Sequence, residues 1–259
     1  DLTNSPSGNF IVTVTDIKNC TVTNNANIVQ PGSPVVTLAN KKNTSCNGGS
    51  NGSIDIDVTG GAAPFSYVWS NAAVTKNIVG LVAGTYSVTA TGNNGCSSTL
   101  PGITISQPAA VSVSVVNKND VTCNGGNNGS VALNVSGGIS PFTFQWSNGG
   151  NTAMLTALIA GNYSVSVTDS AGCSSTLNTT ITQPAALSVS VTNQTNATCG
   201  NNDGSVSIAA TGGVTTYSYL WSNGSQTQNL TSVPAGNYSV TVTDNNSCKA
   251  NTAATVTQP

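Results

Sequence analysis

One spacing organises the whole chain: Gln-Pro stands at 30–31, 107–108, 183–184 and 258–259. Cutting after each proline leaves units 32–108, 109–184 and 185–259, of 77, 76 and 75 residues, preceded by a piece, 1–31. That piece matches a unit's tail, because GNFIVTVTDIKNC at 8–20 parallels GNYSVTVTDNNSC at 236–248. The sequence therefore reads as a window on a longer array, entered inside one repeat and left at a repeat boundary. Self-similarity at a fixed period marks a tandem of small modules, each needing its own core. Landmarks inside the units keep their spacing. Trp69–Tyr86, Trp146–Tyr163 and Trp221–Tyr238 are each 17 residues apart. Each tyrosine precedes a second cysteine by 10 residues (Cys96, Cys173, Cys248), and each opening cysteine (Cys46, Cys123, Cys199) follows a Gln-Pro proline by 15.

Period-2 patterning fixes the local structure. In unit 109–184, Val111, Val113 and Val115 alternate with polar residues. So do Val131, Leu133 and Val135, then Phe142, Phe144 and Trp146, then Tyr163, Val165 and Val167; Leu155 and Leu158 mark a short strand or bend, and Ile181 closes the unit. Alternation gives each strand one dry face, and two such sheets bury their dry faces against each other. The expected fold is all-β: tandem immunoglobulin-like β-sandwich repeats in a rod-like array, with a closed barrel as the alternative. The recurring apolar teeth argue against disorder. The chain has six lysines and eight aspartates but no arginine, glutamate or histidine, so it lacks the cationic clusters that hold nucleic acid. It contains no apolar run long enough for a membrane span, and no leader, so any secretion signal is expected outside this segment.

The frame also orders the cysteines. Two fall in each complete unit, and the pairing expected from the repeat is Cys46–Cys96, Cys123–Cys173 and Cys199–Cys248. Cys20 aligns with the second cysteine of each unit and is expected to be unpaired within this chain. A module of about 75 residues buries little surface. Closing a loop of about 50 residues stabilises it by roughly 4 kcal/mol on a chain-entropy basis. Disulfides imply an oxidising, extracellular compartment. Zinc is disfavoured, because there is no histidine and no C-x-x-C.

Each remaining motif has a bland reading that outweighs the chemical one. CNGGNNGS at 123–130, CNGGSNGS at 46–53 and CGNNDGS at 199–205 look like ligand loops. A strand follows each, however, and only Asp203 supplies a carboxylate, so they read as turns. Asp16, Asp169 and Asp244 align, but Gly92 takes their place in unit 32–108, which favours Asp-initiated turns over an acidic site. Asp55 and Asp57 share a strand face in one unit alone and read as a wetted surface. Trp69, Trp146 and Trp221 could stack on sugars, yet they share parity with neighbouring aromatics. With Tyr86, Tyr163 and Tyr238 they are assigned to the core. Lys41 and Lys118 align with Gln194, which excludes a lysine isopeptide bond as a general device. Sequons such as Asn128-Gly-Ser and Asn162-Tyr-Ser leave surface glycosylation open. Without histidine or glutamate the usual acid–base routes are missing, and the chain reads as non-enzymatic, with no cofactor.

The combined pattern resembles the SprB-like repeat: an opening cysteine with Gly and Asn, then GG, aromatic-x-aromatic-x-Trp-Ser-Asn, Ala-Gly-x-Tyr-Ser-Val, a second cysteine and Gln-Pro. Cys123, Gly137, Gly138, Trp146, Gly161, Tyr163 and Cys173 carry it, together with their copies. Parts of the signature are similar to PKD-like domains. The resemblance implies a very large adhesin at the bacterial cell surface, extracellular and filamentous, serving adhesion or gliding motility. The nearly linker-free Gln-Pro junctions agree with a stiff stalk or fibre. Expected partners are neighbouring copies or upstream repeats of the same protein, and surface polysaccharide. The rival reading is a carbohydrate-binding or accessory β-sandwich module of a secreted enzyme.

Overall fold

The computed structural model describes residues 5–30 and 32–259, so Pro31 of the first Gln-Pro pair lies outside the described residues. Among the described residues every regular element is a strand. No helix is long and apolar enough to cross a membrane. The chain forms two compact units, Asp1–Ala110 and Val111–Pro259.

The first unit opens with a hairpin, β1 (Gly8–Thr15) and β2 (Thr21–Ile28), which forms a sheet by itself. It is the last hairpin of a repeat without the facing sheet. Val12 and Val14, whose alternation suits a half-buried strand, accordingly stay exposed, as do Ile11 and Val22. Six strands follow: β3 (Val35–Lys42), β4 (Gly52–Thr59), β5 (Phe65–Trp69), β6 (Ile78–Leu81), β7 (Gly84–Gly92) and β8 (Ser97–Ile105). They make two antiparallel sheets, in the orders β3-β4-β6 and β5-β7-β8. The second unit repeats this twice. The first copy comprises β9 (Ser112–Asn119), β10 (Gly129–Ser136), β11 (Thr143–Trp146), β12 (Met154–Leu158), β13 (Gly161–Thr168) and β14 (Ser174–Ile181). The second comprises β15 (Ser188–Thr195), β16 (Gly204–Thr211), β17 (Ser218–Trp221), β18 (Leu230–Val233), β19 (Gly236–Thr243) and β20 (Lys249–Val256). Sheet orders are β12-β10-β9 with β11-β13-β14, then β15-β16-β18 with β17-β19-β20. Two sheets joined by chain crossings, with the central strands β10 and β13 facing each other across one core, make an immunoglobulin-like sandwich.

Each sandwich has a separate core. In 109–184 it holds Val131, Leu133, Trp146, Leu155, Leu158, Tyr163, Val165, Val167 and Ile181. The tryptophans expose 2%, 3% and 2% of their surface (Trp69, Trp146, Trp221), so they are core, and Tyr86, Tyr163 and Tyr238 are buried with them. The polar ends of these rings are satisfied. Each indole N–H donates to a carbonyl six residues on, as Trp146 does to Thr152 at 2.9 Å. Each tyrosine hydroxyl donates four residues back, to Val82, Ile159 and Pro234 at 3.0, 3.0 and 2.9 Å. This is the tyrosine corner of immunoglobulin-like sandwiches, which pins the start of the sixth strand's partner. The edge strands are also strapped together. Lys41 and Lys118 donate to the Thr104 and Thr180 carbonyls, and Gln194 does the same to Thr255. The aligned lysines thus bind backbone across the sandwich edge, which explains why glutamine replaces them.

The cysteines do not pair as the repeat frame suggests. Cys123 is bonded to Cys248, with Cα atoms 5.7 Å apart and 125 residues between them. Cys46 and Cys173 are also disulfide-bonded, while Cys20, Cys96 and Cys199 are free thiols. The expected pairs Cys46–Cys96, Cys123–Cys173 and Cys199–Cys248 are therefore corrected. The reason is strand geometry. Cys173 ends the β13–β14 turn, whereas the Cys123 loop sits against residues 183–184, beyond the far end of β14. Eight residues of strand separate the two places by roughly 26 Å, and a disulfide tolerates at most about 7 Å between Cα atoms. The two cysteines of one repeat lie at opposite ends of the sandwich.

Candidate functional site

The site that this geometry builds is the junction between successive repeats, seen within the second unit between 109–184 and 185–259. Its first half is the opening loop. Val121 N–H donates to the Thr182 carbonyl at 2.9 Å, which ties the loop to its own repeat's tail. Gly126 N–H closes a turn onto the Cys123 carbonyl at 3.0 Å, with Gly125 in the left-handed region at φ 74°. The Gln-Pro pair then clasps this turn. Gln183 Oε1 accepts Gly125 N–H at 2.8 Å, and Asn124 Nδ2 donates to the Pro184 carbonyl at 3.0 Å. The first complete repeat repeats the clasp, with Gly48 on Gln107 at 2.7 Å and Asn47 on Pro108 at 3.1 Å. In the first two complete repeats CNGG and Gln-Pro are thus halves of one contact. Asn128 and Asn51 brace the loop by accepting the amides of Thr122 and Ser45 at 3.1 and 3.0 Å. In the shorter third loop Asp203 takes this role, accepting Thr198 N–H at 2.7 Å. Its carboxyl is held below the ordinary value by the Thr198 hydroxyl and amide. The loops are turns, and the single carboxylate among them is a brace.

The second half is the turn between the last two strands of the following repeat. Asp244 Oδ1 accepts the N–H groups of Asn246 and Cys248 at 2.9 and 2.8 Å, and Oδ2 accepts Val214 N–H at 2.8 Å. Asp169 does the same for Ala171, Cys173 and Ile139. Both side chains are buried. Burial pushes each carboxyl upward, but the backbone amides outweigh it and hold both below the ordinary 3.8. Gly92 has no room for the same device, since a Cβ there would lie 2.8 Å from the Ala62 carbonyl oxygen. Asn94 accepts the Cys96 amide instead, at 3.2 Å. Each aspartate, or its substitute, aims the second cysteine. Across the junction the Cys123–Cys248 bond is joined by Asn246 Nδ2, which donates to the Thr122 carbonyl at 2.9 Å. A cleft beside the bond is lined by Asn124, Ala186, Leu187, Ser247 and Lys249.

The other candidates remain apart. Asp57 is paired with Lys76 at 3.1 Å on an exposed face. Among the described residues no group of three His, Cys, Asp or Glu side chains converges as a metal site would require. The sequence reading missed the clasp, the tyrosine corner and the cross-repeat bond. The clasp left a signal, the recurrence of Asn-Gly after Cys46 and Cys123 together with Gln at the boundary that follows each.

These features define a class, the tandem immunoglobulin-like β-sandwich protein with stapled junctions. More particularly, the SprB repeat matches the chain three times, at residues 38–74, 115–151 and 191–226, once in each complete unit, and the units are similar to that repeat. Comparison with curated protein sequences found no match. Among solved structures, the chain is similar to the N-terminal eight immunoglobulin domains of the Down syndrome cell adhesion molecule. Identity is 13%, the TM-score 0.43, and the match covers 100% of this chain and 44% of that one. A tetra-tandem repeat from the extending region of a large adhesion protein is 15% identical with TM-score 0.33, covering 96% and 82%.

Proposed function

We propose that the chain is a structural segment of an extracellular bacterial surface adhesin, a stalk whose repeats are stapled end to end, serving adhesion or gliding motility. One observation carries this reading: the bond from Cys123 to Cys248 joins two repeats instead of closing one. A bond inside a module stabilises that module; a bond between modules transmits tension from one to the next. Two disulfides' worth of cysteines also fit an oxidising exterior. Non-catalytic service agrees with aspartates occupied by backbone amides or lysine. The carbohydrate-binding reading needs exposed aromatic platforms, and the three tryptophans are buried.

Protease treatment of intact cells that carry the native protein tests the location, with immunodetection of this segment afterwards. Loss of the segment from intact cells is the expected result, and full protection until lysis overturns it. Electron microscopy of the oxidised chain tests the stalk, which should appear as beads at constant spacing and not as a single rounded particle.

A further inference from the structure

The Cys123–Cys248 bond defines a rule: the opening-loop cysteine of one repeat bonds the hairpin-turn cysteine of the next. We propose that Cys199 and Cys96 are open halves of the same bond, each taking the complementary cysteine of a further repeat docked head to tail. Cys199 would receive a T-D-x-x-x-C turn from a repeat following 185–259, and Cys96 an opening loop from a repeat preceding 32–108. This deepens the stalk reading but rests on the junction geometry alone, not on where the protein is displayed.

Three observations carry the inference beyond an unpaired thiol. First, Cys199 occupies the docking end of its sandwich. Ala197 N–H donates to Thr257 at 3.0 Å just as Val121 does to Thr182. The third loop is one residue shorter, its turn closes from Asn201 N–H onto the Thr198 carbonyl, and Cys199 is exposed. Second, Cys96 is held as its bonded equivalents are. Gly92 N–H donates to the Cys96 carbonyl at 2.9 Å, matching Asp169 to Cys173 and Asp244 to Cys248, both 2.9 Å. The Cys96 amide is likewise pinned by a side-chain oxygen. Third, the positions equivalent to both are occupied in the neighbouring repeats, where Cys123 and Cys248 bond each other. Cys20 carries the same preparation, with its amide donating to Asp16 Oδ1 at 2.9 Å and Asp16 N–H donating to its carbonyl at 3.0 Å.

The chemistry is thiol–disulfide exchange with a small-molecule disulfide as oxidant. The Cys199 thiolate, its proton lost to water, attacks one sulfur of that disulfide and expels the other as a thiolate. The incoming turn's thiolate then attacks the Cys199 sulfur and expels the remaining half. Two cysteines lose two protons and two electrons, and one disulfide becomes two thiols.

The test extends the full chain by a second copy of 185–259 after Pro259, oxidises it with oxidised glutathione and maps the disulfides without reduction. The expected product links Cys199 to the added copy's turn cysteine, keeps Cys123–Cys248, and leaves the added opening cysteine open to alkylation. A Cys199 that stays alkylatable, or one bonded to Cys248, overturns the proposal. In the Cys199→Ser version the added turn cysteine should become alkylatable while Cys123–Cys248 persists, which separates a missing bond from a misfolded chain. The unextended chain, oxidised at rising concentration, distinguishes the source of the partner. Dimers joining Cys199 of one molecule to Cys96 or Cys20 of another assign it to a second molecule. Their absence beside a positive extended chain assigns it to the same chain.

Discussion

At the residue scale, the aspartates of the T-D-x-x-x-C turns act as templates for backbone. A carboxylate has only acceptors to offer, and Asp169 and Asp244 spend theirs on amides of the turn and of the loop after the Gly-Gly pair. Since those amides hold the folded-state carboxyls below 3.8, the folded protein binds protons less readily there than the unfolded chain. The stability they contribute is therefore fully present above about pH 4 and is lost as pH falls through the depressed folded values. Urea midpoints measured from pH 6 down to pH 2 should fall in the lower part of that range. The Asp169→Asn/Asp244→Asn double variant should start lower and respond less to acid, because its side chains do not titrate. Equal acid sensitivity in the variant would assign the transition to other groups.

At the element scale, the strands were legible because alternation is a direct record of which face is dry. Tyr163, Val165 and Val167 read as inward and are buried. The Gly-Gly pair was legible only as a recurring landmark before the aromatic strand; Gly137 and Gly138 take left-handed φ values of 68° and 62°, which glycine adopts without strain. The disulfide partners were not legible, because equal spacing within every repeat is compatible with bonding inside a repeat or to the next one. Only the direction of β14 decides between them, and direction is a three-dimensional property. The glycine of Gly-Ser-Val was also silent in sequence. It opens β10 and β16, as Gly52 opens β4, against a side chain of the facing sheet and a carbonyl of the paired edge strand: a Cβ at Gly129 would lie 2.8 Å from Ile181 Cγ2 and 2.9 Å from the Leu158 carbonyl oxygen. One contact is backbone and cannot rotate away. Gly129→Ala should destabilise the 109–184 sandwich by about 1–3 kcal/mol, seen as a lowered urea midpoint. The exposed Gly149→Ala, with nothing within 4 Å but φ at 84°, reports the cost of backbone strain alone.

At the scale of the whole molecule, the bond pattern decides how the chain bears load. Tension entering the second unit at its first strand reaches Cys123 and can cross directly to Cys248, so residues 124–247 are bypassed even if both sandwiches lose their cores. Hydrophobic cores of this size resist only until they unfold, whereas the covalent route has no such limit. Single-molecule stretching of the oxidised chain, anchored at its two ends, should therefore stop at a shorter contour length than the reduced chain. The sequence separation of 125 between the bonded cysteines corresponds to roughly 410–450 Å of fully extended polypeptide. Cys123→Ser should recover part of that length under oxidising conditions, whereas Cys199→Ser should change nothing, because Cys199 is a free thiol in this chain. Identical oxidised and reduced contour lengths would mean that the repeats are joined by peptide alone and that each sandwich carries the load by itself.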